Sequence, residues 1–504
     1  MRVPIVIERT SRVPLQRQIY DAWRAGVLSG RFRSGDRVPS TREVADALGV
    51  SRATVTSAYE QLVAEGYFDA ARGAGTFVSA ELPDQQIRTP QRGAPAPDGP
   101  RARRGEERDS PARPPRLSEY GARLPPLGGR VPTPRGNIDL SRAGPDLAHF
   151  PFAVWRRLLA RHLRHPVHER RRTSPTDGPD TADLFARAED PAGYERLRRE
   201  VAAYVARARA VHCDSSQVVI VSGSQQALDL CMRVLVNSGD EIAVEEPGYP
   251  GTRDLAMAHG ARIKMIRIDA EGMRVGELGR RTRLVCVTPS HQFPTGTSMS
   301  LRRRFELLHW VRTHGAVIIE DDYDSEYRYS GPPLPALQGL AGATPVIYIG
   351  TFSNVMYPGM RLGYVIAPPE FVDAIRRAKW LTDRFTPLHE QAALADFIRE
   401  GHLERHVRRM RRVYKGRRDA LTAALTRHFG GTATVYGDAA GMHLLVRFST
   451  AQIVARSQRQ GVRLLSADAY YSSGRSPNEF IFGFSAIEER ILIEGIRRLS
   501  QQTY

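Results

Sequence analysis

The sequence contains very little lysine. Lys264, Lys379 and Lys415 are its only lysines among 504 residues, yet the formal net charge is +18 and the sequence pI is about 10.2. The positive charge is therefore carried almost entirely by arginine. A surplus of this size favours an anionic partner, with nucleic acid as the first candidate. An arginine-rich composition is also typical of a GC-rich genome, so motifs have to decide between the two explanations.

Cysteine is equally scarce. Cys213, Cys231 and Cys286 lie far apart in the sequence, in a pattern typical neither of a disulfide framework nor of a metal site. No apolar run is as long as a signal-peptide core or a membrane span, while the hydrophobic fraction of 41% is enough for a large core. The sequence therefore predicts a folded cytoplasmic protein of two or three domains, with no metal and no membrane partner.

Residues 12–80 have the pattern of a small helical unit. Apolar residues at helical spacing predict its first helix: Leu15, Ile19, Trp23 and Val27. Ser40 and Glu43 form a capping-box pattern at the start of a second, short helix, and Gly49 ends that helix in a tight turn. Ser51 is the expected cap of a third helix. Two short apolar runs around a glycine-containing tip then predict a hairpin.

The third helix is the expected DNA-reading element. In a helix-turn-helix, the N-terminal residues of the second helix of the pair reach base edges in the major groove. Arg52 can bond guanine through two hydrogen bonds, and Arg42 can bind the phosphate backbone. The hydroxyls of Ser51, Thr54 and Thr56 suit phosphates or base edges. The alternative interpretation is a small helical domain with solvated arginines.

The segment from PLQRQIYDAW to GTFV resembles the GntR-type winged helix. The resemblance extends through the whole unit and includes the SR-TV motif at residues 51–55 and the GTFV motif at residues 75–78. It implies a winged helix-turn-helix that binds double-stranded operator DNA. The DNA contacts that it implies are Arg42, Ser51, Arg52, Thr54, Thr56, Arg72 and Gly73.

The composition changes abruptly after residue 80. Residues 81–136 are rich in proline, glycine and charge and have no apolar periodicity, which predicts a flexible linker. Residues 137–504 alternate short apolar runs with helical patterns, which predicts an α/β domain on a largely parallel sheet, with an α+β lobe at its C-terminal end. The predicted boundaries are therefore 12–80, 81–136 and 137–504.

The third region contains the residue types of a pocket for a phosphate and a flat heterocycle. The turn Gly223-Ser224-Gln225 follows a predicted strand and opens a helix, where backbone N–H groups bind anions. The ring of Tyr249 would stack on the heterocycle, and Asp321 would pair with a protonated ring nitrogen. Tyr323 would donate to a ring oxygen, and Arg361 would close the phosphate site. Each signal alone is weak, and their order gives them weight.

That order resembles the fold-type I (class I) aminotransferases. The matching segments are IDLSRAGPDLAHFP, VSGSQQALDL, DEIAVEEPGYPG, TPSHQFPTGTSMSLRRR, IEDDYDSEYRY and YIGTFSNVMYPGMRLGYVIAP. Joined to the winged helix, they resemble the MocR subfamily (GabR- and PdxR-like) of GntR transcription regulators. The resemblance implies pyridoxal 5′-phosphate (PLP) as effector and a head-to-tail homodimer with exchanged DNA-binding arms. The cofactor site that it implies comprises Ser224, Gln225, Tyr249, His291, Asp321, Tyr323, Thr351, Ser353, Asn354 and Arg361.

One position departs from the family pattern. Where the family has GTFSK, whose lysine forms a Schiff base with PLP, this sequence has GTFSN, with Asn354 in the lysine's place. An amide nitrogen neither forms an imine nor acts as the base that transamination needs. We therefore expect a regulator that is not an enzyme and that senses PLP, a PLP adduct, or an amine or amino acid without an internal aldimine. The alternatives are a dimeric scaffold that binds no PLP and, less favoured, an active aminotransferase.

Overall fold

The computed structural model describes residues 5–11, 13–71, 75–80, 82, 116–126, 137–141, 143–163, 190–331, 334–450 and 452–501. The chain divides into two compact units, Met1–Ala112 and Arg113–Tyr504.

The described part of the first unit contains three helices and a small antiparallel sheet. The helices are α1 (Leu15–Leu28), α2 (Thr41–Leu48) and α3 (Arg52–Ala64). The strands lie in the order β1-β3-β2, and their bounds are β1 (Arg37–Val38), β2 (Phe68–Ala71) and β3 (Gly75–Val78). Helices α2 and α3 form the helix-turn-helix, and β2 and β3 form the predicted hairpin.

The helix-turn-helix is held by its caps. Ser40 Oγ accepts a hydrogen bond from the N–H of Glu43 at 3.3 Å, and the Glu43 carboxylate accepts one from the N–H of Ser40 at 2.7 Å. Gly49 ends α2 with a φ of 62°, in the left-handed region that favours glycine. Ser51 Oγ then accepts a hydrogen bond from the N–H of Thr54 at 3.2 Å and starts α3. One apolar core joins the elements, and its buried residues include Ile19, Trp23, Val44, Val55, Leu62 and Phe68.

The second unit is built on an eight-stranded, mainly parallel sheet. The strand order is β5-β12-β11-β10-β9-β6-β7-β8, and β12 runs antiparallel to both of its neighbours. The bounds are β5 (Val218–Val221), β6 (Glu241–Glu246), β7 (Arg262–Asp269), β8 (Gly272–Met273), β9 (Thr282–Val287), β10 (Val317–Asp322), β11 (Val346–Thr351) and β12 (Gly363–Ile366). The helices of this part are α4 (Glu119–Arg123), α5 (Phe152–Leu163), α6 (Glu195–Arg209), α7 (Ser224–Leu235), α8 (Pro250–Ala258), α9 (Leu301–His314), α10 (Leu337–Leu340), α11 (Pro369–Thr382) and α12 (Leu388–Arg399). Apolar side chains bury the sheet on both faces, as in other α/β folds.

A smaller α+β lobe follows at the C-terminal end. A long helix, α13 (His402–Phe429), leads into a four-stranded antiparallel sheet of order β13-β14-β17-β16. A separate parallel pair joins β15 to β4, an early strand of the unit. The remaining bounds are β4 (Ile138–Asp139), β13 (Ala433–Tyr436), β14 (His443–Phe448), α14 (Ile453–Arg459), β15 (Val462–Arg463), β16 (Leu465–Ser466), β17 (Glu479–Gly483) and α15 (Glu489–Ser500). The architecture is the α/β class with an α+β lobe that the sequence predicts.

Part of the predicted linker is ordered. Within residues 81–136, the segment 116–126 contains α4, which Ser118 caps through a 3.1 Å hydrogen bond from the N–H of Gly121. The Tyr120 ring packs edge-on against His259, with 5.4 Å between the ring centroids. An aromatic contact therefore attaches this segment of the predicted linker to the second unit. Residues 81, 83–115 and 127–136 lie outside the described residues, and the linker and the domain boundaries stay predictions.

Within the described ranges, no helix combines the length and the apolar character that crossing a membrane requires.

The capping box generates a test of the first unit. We expect Ser40→Ala to destabilise α2 by about 1 kcal/mol, because the N–H of Glu43 loses its acceptor. Hydrogen exchange of the α2 amides, followed by mass spectrometry on the full chain, should accelerate about fivefold. Ser34→Ala is the matched control, since Ser34 is exposed and precedes the helix. Equal protection in Ser40→Ala and Ser34→Ala would contradict a stabilising role for the cap.

Candidate functional site

The N-terminal end of α3 carries the predicted DNA contacts. Arg52 and Arg42 are exposed, and Arg52 Nε donates to Thr41 Oγ1 at 3.4 Å, which joins the starts of α2 and α3. Ser51 and Thr54 are partly committed to the cap, and their hydroxyl oxygens lie 2.7 Å apart. The two arginine side chains are therefore more available for a DNA contact than the hydroxyls of Ser51 and Thr54. Thr56 is half-buried on α3, and the predicted contacts Arg72 and Gly73 lie outside the described residues.

In the second unit, a cavity of about 400 Å³ lies at the carboxyl ends of β10 and β11. This edge of an open α/β sheet is where such folds bind ligands. Gln225 and His291, two of the ten predicted site residues, are absent from the cavity wall. The other eight line it: Ser224, Tyr249, Asp321, Tyr323, Thr351, Ser353, Asn354 and Arg361.

One end of the cavity suits an anion. Helix α7 begins here after Gly223, and no side chain caps its first turn, so backbone N–H groups face outward with the positive end of the helix dipole. Arg361 Nη2 donates to the carbonyl of Ser222 at 2.8 Å. Gly223 has a φ of 89°, and a Cβ on it would lie 2.8 Å from Arg361 Nη2, so glycine alone fits. Ser353 Oγ is buried without a hydrogen-bond partner. Together these groups form a cradle for a phosphate.

The opposite wall comes from an acidic segment that leaves β10. Glu320 accepts hydrogen bonds from two backbone N–H groups at the start of α10, both at 2.8 Å. Asp322 pairs with Arg209 at 2.7 Å. Asp321, between them, has a buried Oδ1 with no partner. Burial, followed by the charges of Asp322, Asp324 and Glu245, raises the pKa of Asp321 to about 7. This carboxyl lacks a cation, which a protonated ring nitrogen would supply.

His291 and Gln225 bond to residues that line the cavity. The buried ring of His291 bonds to two neighbours through Nδ1, and its predicted contact with a cofactor stays a prediction. Those bonds are 3.0 Å long, to Tyr323 Oη and to Asp324 Oδ2. Gln225 Oε1 accepts a 3.1 Å hydrogen bond from the hydroxyl of Tyr249. Both residues therefore orient a tyrosine that does line the cavity.

Asn354 lies on the cavity wall with its amide engaged. Its Nδ2 donates a 2.9 Å hydrogen bond to the backbone carbonyl of Tyr323. None of the three lysines, all of which lie in the described ranges, lines the cavity. Lys264 is on β7, Lys415 pairs with Asp419 on α13, and Lys379 is buried in α11. No amine of a lysine side chain therefore borders the pocket.

Several lining residues were not predicted. Phe293, inside the FPTG motif that the sequence displays, packs edge-on against both Tyr249 and Tyr323. Others come from the C-terminal lobe, far away in sequence from the recognised motifs. These additional lining residues are Ser141, Ala143, Thr288, Phe293, Asp324, Pro358, Met442, His443, Leu465, Tyr470 and Ile481.

Comparison with known proteins identifies the family. Residues 15–78 match the gntR family of bacterial regulatory proteins, and residues 179–482 match the class I and II aminotransferases. The chain is 37% identical over 500 residues to the probable rhizopine catabolism regulatory protein MocR of Rhizobium meliloti, covering 98% of this chain and 95% of that protein. This chain belongs to the MocR-type transcription regulators.

Other MocR-type relatives also match over almost the whole chain. The HTH-type regulator TauR of Rhodobacter capsulatus is 33% identical, with 97% of this chain and 96% of TauR covered. The pyridoxine biosynthesis regulator PdxR of Corynebacterium glutamicum is 28% identical, with the same shares covered. These matches confirm the predicted pairing of a GntR winged helix with an aminotransferase-like domain.

Solved aminotransferases share the fold of the second unit. Kynurenine aminotransferase of Pyrococcus horikoshii superposes with a TM-score of 0.64 at 28% identity, covering 72% of the MocR-type chain and 90% of the enzyme. LysN of Thermus thermophilus, an α-aminoadipate aminotransferase complexed with N-(5′-phosphopyridoxyl)-L-leucine, gives a TM-score of 0.65 at 26% identity, with 76% and 96% covered. Proteins of this fold family ordinarily bind PLP. The phosphate cradle and the unpaired Asp321 fit such a group.

The buried carboxyl of Asp321 generates a stability test. Its pKa of about 7 in the folded protein exceeds the value of ~4 in an unfolded chain, so the folded state loses stability as the pH rises from about 4 through about 7. We expect Asp321→Asn to raise the free energy of unfolding at pH 8 by on the order of 1–3 kcal/mol and to change it little at pH 4.

Thermal unfolding of ligand-free protein at the two pH values measures this difference. Asp438→Asn, at an exposed carboxylate, is the matched control and should shift neither midpoint. A variant of Asp321 that is destabilised at pH 8 would contradict an uncompensated buried charge.

Proposed function

We propose that this MocR-type regulator binds operator DNA and senses PLP, or a PLP adduct, without a covalent bond to the protein, and that it is not an enzyme. The observation that carries the proposal is Asn354. It stands at the position of the family's PLP-binding lysine, and its amide donates to the carbonyl of Tyr323 at 2.9 Å. Since an amide is not nucleophilic and not basic, it provides neither the covalent bond nor the proton transfer of a transaminase.

The residues around Asn354 still suit the three recognition groups of PLP. The free turn of α7, with Ser353 and Arg361, would hold the phosphate through charge-assisted hydrogen bonds. Asp321 would accept from the protonated ring nitrogen, and Tyr323 would donate to the ring oxygen. Bound there, PLP supplies a ring, a phosphate and an aldehyde that reacts with free amines. The residues of this chain bind and orient it and leave the aldehyde unbonded.

Asp321 makes the site prefer a positively charged ring to a neutral one. Its pKa of about 7 means that an empty site carries a partly protonated carboxyl at neutral pH. A cation within hydrogen-bonding distance lowers the pKa of such a carboxyl, because the charged pair replaces an isolated buried charge. Binding of a protonated pyridine ring is therefore coupled to loss of the proton from Asp321. A neutral ring of the same shape would not obtain this interaction.

A preformed PLP–amino acid adduct fits the proposal as well as free PLP. LysN, whose fold the second unit shares, is complexed with N-(5′-phosphopyridoxyl)-L-leucine, in which the amino acid is already joined to the cofactor. Such a ligand needs no lysine on the protein. The cavity of about 400 Å³ extends past Asn354 to Met442 and Ile481 of the C-terminal lobe, where an apolar side chain would be accommodated.

The DNA-binding half of the proposal rests on the two exposed arginines of the helix-turn-helix. Arg52, at the first position of α3, is in place to read a base edge, and Arg42 on α2 is in place to bind a phosphate. Two such units in a homodimer would bind two half-sites of an operator. The head-to-tail arrangement of the dimer stays a prediction.

Covalent trapping tests the role of Asn354. We expect PLP to bind the wild-type protein saturably, with no adduct retained after borohydride reduction, because no lysine borders the cavity. Asn354→Lys should acquire an absorbance band of a protonated imine and a reduced adduct on residue 354 alone. Absorbance titration and peptide mass analysis measure both outcomes.

Asn354→Gln is the matched control, since it keeps an amide and adds no amine. A wild-type adduct on Lys264, Lys379 or Lys415 would refute noncovalent binding. Absence of any PLP binding by the wild type would instead favour a scaffold that binds no PLP, or a different ligand.

Substitution of the two arginines separates base reading from phosphate binding. We expect Arg52→Ala to cost about 1–3 kcal/mol at the operator and to relax its base preference. Arg42→Ala should weaken binding to all sequences alike and reduce the slope of log affinity against log salt by about 1.

Fluorescence anisotropy with operator and scrambled duplexes at several salt concentrations provides both quantities. Arg497→Ala, at an exposed ion pair in the second unit, controls for loss of one positive charge. Equal losses in all three variants would argue against specific roles for Arg42 and Arg52.

A further inference from the structure

Lys379 is the one lysine that is completely buried. It lies in the last turn of α11, and its relative exposure is 0%. In a chain that otherwise uses arginine almost everywhere, a lysine in such a place indicates a requirement for its geometry. An ammonium group is compact and donates in three tetrahedral directions, whereas a guanidinium is a wide planar fork.

The Lys379 ammonium uses these directions fully. Its Nζ donates to the Asp383 carboxylate at 2.9 Å and to Thr386 Oγ1 at 3.1 Å. It lies 3.3 Å from Gln226 Oε1, in the first turn of α7. Thr386 is itself almost fully buried. The lysine therefore joins the end of α11 to the helix that begins at the cavity.

Gln226 links the buried lysine to the phosphate cradle through hydrogen bonds. Its Oε1 also accepts the N–H of Ser222 at 2.7 Å, and its Nε2 donates to Asp383 at 2.8 Å. The carbonyl of Ser222 in turn accepts the 2.8 Å hydrogen bond from Arg361 Nη2. A continuous chain of hydrogen bonds thus extends from the buried lysine to the arginine of the cradle.

We propose that Lys379 is a positioning residue that sets the affinity of the second-unit cavity for the phosphate group of its ligand, through Gln226 and Ser222. The proposal rests on the proposed function, because it takes PLP as the ligand of that cavity. Lys379 does not touch the ligand. It fixes the turn at residues 222–223, whose Ser222 carbonyl accepts the hydrogen bond of Arg361 and which leads into the first N–H groups of α7.

The orientation of the Gln226 amide explains how the lysine acts. Lys379 and the N–H of Ser222 are both donors, so they require the oxygen of the amide on their side, while the Asp383 carboxylate requires its NH₂ group. Without the ammonium, one of the three groups that select this orientation is lost. The N–H of Ser222 then has a weaker partner, so residue 222, whose carbonyl bonds Arg361, is held less firmly.

Comparison of PLP with pyridoxal isolates the phosphate. The two ligands share the ring, and the internal hemiacetal that pyridoxal forms is the same for every variant. The change in the ratio of their dissociation constants between variants therefore reports the contribution of the phosphate. We expect Lys379→Met to reduce this ratio about tenfold, mainly through weaker PLP binding, since a hydrogen bond to a charged group is being lost. Lys379→Arg should not restore it, because the planar fork does not fit the three acceptors.

Gln226→Leu keeps the buried lysine paired with Asp383 and breaks the chain one step later. It should reproduce the loss of phosphate preference, and it covers the case in which Lys379→Met fails to fold. Lys415→Met, at an exposed ion pair of α13, is the matched control and should behave as the wild type. Absorbance titration of the full chain with each ligand gives the constants, and circular dichroism verifies the fold.

The outcomes separate the two proposals. If the wild type binds neither ligand, the proposed function fails and this inference fails with it. If the wild type prefers PLP to pyridoxal and the folded Lys379→Met and Gln226→Leu variants keep that preference, only the role of Lys379 is refuted. A parallel loss of both ligands in these variants would also refute it, because it would indicate a general structural role.

Discussion

The free-energy cost of burying charged side chains is the main constraint on the interior of the second unit. The segment that continues from β10 through residue 326 is strongly acidic and lies in the interior of the protein. Two backbone N–H groups bind Glu320, Arg209 and Tyr348 bind Asp322, His291 binds Asp324, and Tyr204 donates to Glu326. Each contact offsets part of a large desolvation penalty. Asp321, which lines the cavity, alone in this set keeps an orphaned oxygen.

Local sequence signals were sufficient for the first unit. A capping box, a left-handed glycine and a serine cap occur within 12 residues, from Ser40 to Ser51, and each acts on its immediate neighbours. Such signals predict both helices and the turn between them, because the hydrogen bonds that they describe are local. The eight predicted site residues that line the cavity come from motifs of a family and not from periodicity. Recognition of the fold was therefore necessary for the second unit.

The differences between the predicted site and the cavity wall concern contacts between distant parts of the chain. His291 and Gln225 belong to recognised motifs, yet only tertiary packing decides that each bonds to a tyrosine instead of facing the cavity. Met442 and Ile481 line the cavity because the C-terminal lobe closes over the edge of the sheet, and no motif surrounds them. The sequence does not predict the burial of Lys379 either, since a lysine near the end of an amphipathic helix is usually exposed to solvent.

The scarcity of lysine has a consequence for selectivity towards reactive metabolites. Aldehydes condense readily with unprotonated amines, and a lysine-rich surface would capture them at many unrelated places. Guanidinium groups stay protonated and do not compete in this reaction. Of the three lysines here, one is consumed by Asp383, Thr386 and Gln226, and another by an ion pair with Asp419. If the cavity binds an aldehyde noncovalently, as proposed, the rest of the protein offers that aldehyde few competing amines, so occupancy of the cavity would follow the free concentration.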